Sequence, residues 1–236
     1  MSRVAFITGV AGILGRACAK GLASSGWFVS GGGRSHPIEA VQGLSLFSPL
    51  DVRQESSVIS SFGFVQNQVA KPVSLLIHAA GITRDALVAR QDVEDWDAVQ
   101  AVHLRGAWLC ARQVWQGMIQ LGGGHIILIA SHAVHLGAGG QAAYSAAKAG
   151  LIGLSQSLAE EGAASNIRVN AICPGLFHSP MTDALNAHQR DELLKANLLK
   201  RFNQTDEVAS FVAWLASTEE VSGQVFYLDS RRIPWA

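Results

Sequence analysis

Short apolar runs alternate along this chain with stretches in which apolar positions return every three or four residues. The runs place strands near residues 4–8, 27–31, 44–48, 73–78, 125–130, 167–172 and 224–228. The helical spacing places helices over 12–24, 54–69, 92–120, 142–162 and 205–217. Strand–helix alternation of this kind predicts an α/β fold, a doubly wound parallel seven-stranded sheet with helices on both faces. Ligands of such sheets bind at the carboxyl ends of the strands. The whole chain, 1–236, reads as a single domain without internal repeat, low-complexity tract or linker. Between Pro180 and Phe202 an amphipathic segment is expected, with Met181, Leu185, Leu193 and Leu194 on its apolar side. A lid over an aliphatic substrate, a packing helix and a subunit contact all remain open for it.

Composition narrows the class. An apolar content of 49% with 15% charged residues describes a globular chain with a large core. Basic and acidic residues balance at 18 each, so no field steers an acidic partner and no basic stripe supports nucleic-acid binding. No apolar stretch approaches the roughly 18 residues of a membrane span. The amino terminus enters the first strand at once, leaving no room for a signal peptide, and the expected location is cytoplasmic. Cys18, Cys110 and Cys173 are widely spaced and read as reduced thiols. No His/Cys/Asp cluster has metal-ligand spacing, so no metal is expected.

Two motifs carry chemistry. Val4–Thr8 runs into Gly9-Val-Ala-Gly12-Ile13-Leu14-Gly15 and then a helical pattern. Strand, glycine loop and helix N-terminus form the setting of a Rossmann dinucleotide site: glycines let the backbone approach a pyrophosphate, and helix N–H groups face it. A plain tight turn is the bland alternative. The next strand ends in Gly31-Gly-Gly-Arg34-Ser35, with an arginine and no acid. A guanidinium suits a ribose 2′-phosphate, which favours NADP(H) over NAD(H), although a solvated surface arginine is the other reading. The second motif is Tyr144 with Lys148 four residues on, which a helix puts on one face. Ser131, thirteen residues before Tyr144, closes the apolar run Ile126–Ala130. A cation beside a phenol lowers its pKa toward working pH, and a serine could hold a carbonyl oxygen beside it.

With these residues in place the chain resembles the short-chain dehydrogenase/reductases, most closely the bacterial 3-oxoacyl-(acyl-carrier-protein) reductases. The likeness spans nearly the whole length. It comprises the glycine loop, Leu50-Asp51-Val52, Ala79-Ala80-Gly81-Ile-Thr-Arg-Asp85, Ser131, Gly139-Gly-Gln-Ala-Ala-Tyr144, Lys148-Ala-Gly150 and Asn170-Ala-Ile-Cys-Pro174-Gly175. It implies that Tyr144 protonates a substrate carbonyl as NADPH delivers hydride, that Lys148 binds the nicotinamide ribose and lowers the tyrosine pKa, and that Ser131 orients substrate. It also implies cofactor contacts from Thr8, Gly9, Gly12, Ile13, Leu14, Gly15, Arg34, Ser35, Ala79, Ala80 and Gly81. Asp51 and Val52 would face the adenine, and Pro174, Gly175, Phe177 and Ser179 the carboxamide.

Departures from the family pattern matter as much. Ile13 stands at the usual middle glycine. His78-Ala79 replaces an Asn pair, and His78 reads as a buried core histidine. His103 stands where many members carry an Asn whose main-chain carbonyl holds a relay water; the carbonyl survives the change, and a neutral imidazole could itself shuttle a proton. Gly122 and Ser165 occupy positions where carrier-protein reductases have docking arginines, which leaves a CoA thioester or smaller ketone open as substrate. His132 and His135 flank the glycine-rich stretch before Tyr144, as loop polar groups first and substrate contacts second. Trp108 and Trp115, seven apart, form a core or interface stripe, and helices 92–120 and 142–162 resemble the pair that builds family tetramers. A homotetramer is expected, with a dimer as the smaller possibility. The tail, Asp229–Ala236, departs from the family's usual Gly-Gly ending. The rival to an NADP(H)-dependent reductase is a catalytically weak nucleotide-binding subunit in a hetero-oligomer with an active paralogue.

Overall fold

The computed structural model describes residues 3–37, 39–179, 182 and 186–231. Its strands are β1 (Val4–Thr8), β2 (Phe28–Gly33), β3 (Leu46–Pro49), β4 (Leu75–His78), β5 (Gly124–Ile129), β6 (Ile167–Pro174) and β7 (Val225–Leu228). They pair in parallel in the order β3-β2-β1-β4-β5-β6-β7, the doubly wound Rossmann sheet expected from the hydrophobic pattern. The flanking helices are α1 (Ile13–Ser24), α2 (Glu55–Val69), α3 (Val93–Gln100), α4 (Gly106–Gln120), α5 (Ala133–Leu136), α6 (Ala142–Gly162), α7 (Ala187–Ala196) and α8 (Thr205–Leu215).

The central strands are apolar at nearly every position because both their faces are covered. Val4, Phe6, Leu76, Ile126 and Val169 point to the side carrying α2, α4 and α6. Ala5, Ile7, Ile77, Ile127 and Ile172 point to the other side, against α1 and α8. Phe6 stacks on Phe62 of α2 at 4.1 Å. Each such fully buried Ile or Leu contributes about 1.5–3 kcal/mol, so the sheet is a rigid floor for whatever sits at its carboxyl edge.

Three local differences from the sequence expectation have physical causes. Strand β2 runs on through its glycines: a Cβ on Gly31 would lie 2.7 Å from Val10, and one on Gly32 2.8 Å from Leu50, so the close neighbours on either side demand glycine within the strand. The expected helix 92–120 keeps its course but changes winding, with Ala101–Arg105 in π-helical turns between α3 and α4. Such turns gather at functional sites, and His103 lies at the centre of this one. The expected stripe of Trp108 and Trp115 is split, because Trp115 packs against the core whereas Trp108 is 41% exposed and stacked under Arg112 at 4.6 Å.

The amphipathic segment before α8 contains α7, with Leu193 and Leu194 half-buried; Met181 and Leu185 lie outside the described residues, as does the tail beyond Arg231. Among the described residues no helix is long and apolar enough to cross a membrane.

Candidate active site

The glycine loop is packed backbone against backbone. Gly9 has φ +67°, and a Cβ there would lie 2.8 Å from the Ala80 Cα; a Cβ on Gly15 would collide with the Gly9 carbonyl oxygen. The first turn of α1 starts at Gly12 without a side-chain cap and without acidic residues, which leaves the Ile13, Leu14 and Gly15 amides without intrahelical partners. Ile13, at the family's middle-glycine position, turns its side chain outward, 38% exposed, and Leu14 turns inward. A cradle that no side chain could enter, ending in bare amides with no competing carboxylate, fits a dinucleotide pyrophosphate.

Thr8 joins this loop to β4. Its hydroxyl accepts the Ala79 and Ala80 N–H groups at 3.2 and 3.1 Å and lies 3.1 Å from His78 Nδ1. An oxygen that accepts twice donates its own hydrogen to Nδ1, which leaves the His78 proton on Nε2. Burial pushes the His78 pKa down to about 3, aided by the Lys148 charge, so it is the neutral core histidine expected.

At the adenosine end, Arg34 and Ser35 are exposed just past β2. Asp51 holds Arg53 through both carboxylate oxygens (2.9 Å from Nε to Oδ1, 2.6 Å from Nη2 to Oδ2), and this pairing keeps its carboxyl below the usual carboxylate range. Any adenine contact from Asp51 is shared with Arg53, a residue that sequence reasoning missed. Val52 is buried, with its Cγ2 2.9 Å from where a Cβ on Gly106 would stand.

The reacting groups meet at the ends of β5 and α6. Lys148 is 5% exposed and donates from Nζ to the Ile129 carbonyl at 2.6 Å, with Nζ 5.6 Å from the Tyr144 ring centroid. Burial brings its pKa down to about 8. In this structure burial, not Lys148, sets the direction of the Tyr144 pKa. Loss of water around the half-buried phenol raises it, against an opposing hydrogen bond from the Ser131 side chain, and Asp85 adds to the rise. The phenol is therefore held protonated, the form needed to donate a proton. Ser131 also caps the start of α5, accepting the Ala133 N–H at 3.2 Å.

His103 is 1% exposed. Its Nε2 lies 2.7 Å from the Ile82 carbonyl oxygen and 3.1 Å from the Ile82 nitrogen, and its Nδ1 is buried without a partner. Burial, then the Lys148 charge, lower its pKa to about 3. Neither ring nitrogen bonds the Tyr144 hydroxyl; the ring packs edge-on against the phenol.

The loop after β6 is held from three directions. The Thr182 hydroxyl donates to the Phe177 carbonyl at 2.9 Å and accepts the Ser179 N–H at 2.9 Å. Asn203 donates its main-chain N–H to the Leu176 carbonyl and its Nδ2 to the Leu228 carbonyl at 2.8 Å, and its side chain fills the space a Cβ on Gly175 would need. Thr182 and Asn203 carried no signal in the sequence. A hollow of about 730 Å3, lined by Glu160, Arg168, Glu219 and Glu220 among others, lies by the amino end of β6 and shares no residue with this cleft.

The chain is similar to known proteins over most of its length. The family model described as enoyl-(acyl carrier protein) reductase matches residues 9–230. The acetoacetyl-CoA reductase of Allochromatium vinosum is 35% identical over 230 residues, 93% of each chain. The 3-oxoacyl-[acyl-carrier-protein] reductase FabG of Thermotoga maritima is 42% identical over 159 residues, 66% of this chain and 65% of its own. Carbonyl reductase family member 4 of Xenopus laevis is 36% identical over 235 residues, 97% of each chain.

Proposed function

The chain belongs to the short-chain dehydrogenase/reductase family, and on that premise we propose that it is an NADP(H)-dependent reductase converting the ketone of a 3-oxoacyl thioester, or a similar ketone, to a secondary alcohol. The observation that carries this reading is the meeting of Ser131, Tyr144 and Lys148 beside the bare-amide cradle of Gly9–Gly15. A nicotinamide cofactor held there supplies the hydride. Thr8, the glycine loop, Ala79–Gly81 and the Pro174–Ser179 loop would hold it, with Arg34 and Ser35 facing a 2′-phosphate.

The chain's own residues do the rest. The Ser131 hydroxyl holds the carbonyl oxygen beside the phenol. Tyr144, kept protonated by burial, gives its hydroxyl proton to that oxygen. The Lys148 ammonium favours the phenolate left behind, which matters most at the moment of transfer. The names of the relatives from Allochromatium and Thermotoga support a 3-oxoacyl thioester substrate. Gly122 and Ser165, where carrier-protein reductases place arginines, favour a CoA thioester over a carrier protein. The assembly we propose is a homotetramer in the cytoplasm, joined through α4 and α6.

A second reading, a nucleotide-binding subunit partnering an active paralogue, draws on His103, whose imidazole leaves one buried nitrogen unpaired at the relay position. NADPH oxidation with acetoacetyl-CoA, wild type against Tyr144→Phe, tests the reductase reading. Turnover lost in the variant supports the reductase. No wild-type turnover with NADPH binding intact leaves a different ketone or the second reading, and His103→Asn is then the next protein to test.

A further inference from the structure

The helical segment that carries His103 lies along α6, and Val99, Gln100, His103 and Leu104 all meet that helix. Val99 packs with Ala143 and Ala147. Leu104 faces Gly150, where an added Cβ would lie 2.9 Å from the leucine Cδ2. The His103 ring meets the Tyr144 ring edge-on. Gln100 donates from Nε2 to the Ala143 carbonyl at 2.9 Å. Residues 99 and 103 are one helical turn apart, as are 100 and 104, so a single face of the segment makes all these contacts. None of the steps derived above uses Gln100.

Val99 and Leu104 are apolar and need only contact. Gln100 is a half-buried amide, and its partner is the carbonyl of the residue before Tyr144. That carbonyl lies in the first turn of α6, which starts at Gln141 without a side-chain cap and without an acidic residue. Inside the helix it accepts the Ala147 N–H, and its second lone pair is open to a donor from outside. The Ala143 carbonyl and the Tyr144 nitrogen share one planar peptide unit. Gln100 therefore ties down the peptide plane from which the Tyr144 side chain departs, while His103 braces its ring. The two ties sit on either side of the point where α3 gives way to the π-helical turns at Ala101.

We propose that Gln100 is a positioning residue of the reductase site: its hydrogen bond to the Ala143 carbonyl fixes the start of α6 and, through it, the direction from which the Tyr144 phenol meets a substrate carbonyl. This rests on the reductase reading above. Small errors in the placement of a proton donor are costly, because the reacting atoms must already be aligned when the proton moves. The contrast is with a glutamine that fills space between α3 and α6, for which any side chain of its size would serve.

The test compares wild type, Gln100→Met and Gln100→Glu in acetoacetyl-CoA reduction, with the tyrosines followed by NMR. Gln100→Met keeps the length and removes the donor. Gln100→Glu keeps the shape but turns a carboxylate oxygen toward the carbonyl oxygen. The Met variant is expected to lower kcat about fivefold, the worth of one hydrogen bond, with the KM for NADPH unchanged; the Glu variant should fall further. The chain holds two tyrosines, Tyr144 and Tyr227, so Cζ-labelled tyrosine gives one line for each, assigned with Tyr227→Phe. In Gln100→Met the Tyr144 line is expected to shift and the Tyr227 line to stay. A Met variant with wild-type kcat overturns the proposal, and so does a loss of thermal stability with the Tyr144 line unmoved. A lower kcat accompanied by an equal rise in the KM for NADPH also overturns it, by placing the effect in the cofactor site. If wild type reduces no acetoacetyl-CoA, the reductase reading fails separately. The tie is then judged by NMR, where a Tyr144 line unmoved by Gln100→Met overturns it and a shifted one supports it.

Discussion

The rings of His103 and Tyr144 meet edge to face, with centroids 5.3 Å apart and planes at 88°. The Tyr144 phenol is thus braced by a neutral imidazole. The bracing is imperfectly paired, because a single atom, Nε2, faces both the Ile82 carbonyl and the Ile82 nitrogen and can serve one of them at a time. An asparagine amide has a separate donor and acceptor for the two. His103→Asn is therefore expected to hold kcat within about threefold of wild type, trading the aromatic contact for a second hydrogen bond. His103→Ala loses both and should fall about tenfold or more. Steady-state kinetics on the two variants checks this, and an Asn variant as impaired as the Ala variant would sink it.

Gly81 is tied to the same imidazole. A Cβ at this position would lie 2.5 Å from His103 Cε1. Gly81→Ala in the wild-type background must displace a buried ring, at about 1–3 kcal/mol for an overpacked core. In a His103→Asn background the smaller side chain leaves room, and most of that cost should vanish. A double-mutant cycle by chemical denaturation measures the coupling, and additive effects would show that the contact is not what fixes glycine here.

On the proposed reading, cofactor choice rests on Arg34. It is exposed beyond β2, and its charge reaches Asp51. Arg34→Ala should raise the KM for NADPH about tenfold or more through loss of a charge-assisted contact, with NADH little changed. Equal effects on the two nucleotides would mean that the guanidinium does not read the 2′-phosphate.

Much of this fold was legible because both periodicities were clean. Ile126–Ala130 could only be a buried strand, and the Tyr144–Lys148 spacing could only share a face on a helix. The glycine loop and the Ser131–Tyr144–Lys148 grouping followed from residue chemistry and family likeness together. What escaped depends on contacts between residues distant in sequence. Nothing local says that Asn203 will fill the space beside Gly175, or that register will set Tyr227 against Cys173. The direction of the Tyr144 shift escaped for the same reason, since it is set by burial, which no local pattern shows.

The buried histidines set the acid limit of stability. Burial lowers His78, His103 and His125 from an ordinary 6.5 to about 3. Below pH 6.5 the unfolded chain takes up these protons while the folded chain refuses them until about pH 3, so stability falls as pH drops through that window. Three such groups give a slope of up to about 4 kcal/mol per pH unit. Urea midpoints should decline steadily on the acid side. His125→Gln, remote from the reacting groups, should lessen the slope by about one proton's worth. A midpoint that stays flat from about pH 6.5 to 5 would contradict the burial argument.

Lys148 sets activity against stability. Its pKa is lowered from 10.5 to about 8 by burial, so at neutral pH the folded protein carries an ammonium that costs on the order of 3 kcal/mol. Below pH 8 both states are protonated and the cost is present in full; between 8 and 10.5 the unfolded chain alone holds the proton, so stability rises with pH. Lys148→Met removes the charge while filling a similar volume. It is expected to stabilise the fold by roughly 1–3 kcal/mol at neutral pH, and to lower kcat by about a hundredfold or more. In wild type, kcat should fall as pH rises through about 8, where the ammonium is lost. Lys148→Arg, which keeps its charge, should lack that alkaline fall even if slower overall. Denaturation curves and pH–rate profiles of the three proteins decide the matter. A Met variant less stable than wild type would show that the Ile129 hydrogen bond outweighs the cost of burial, and an alkaline fall that persists in the Arg variant would assign it to another group.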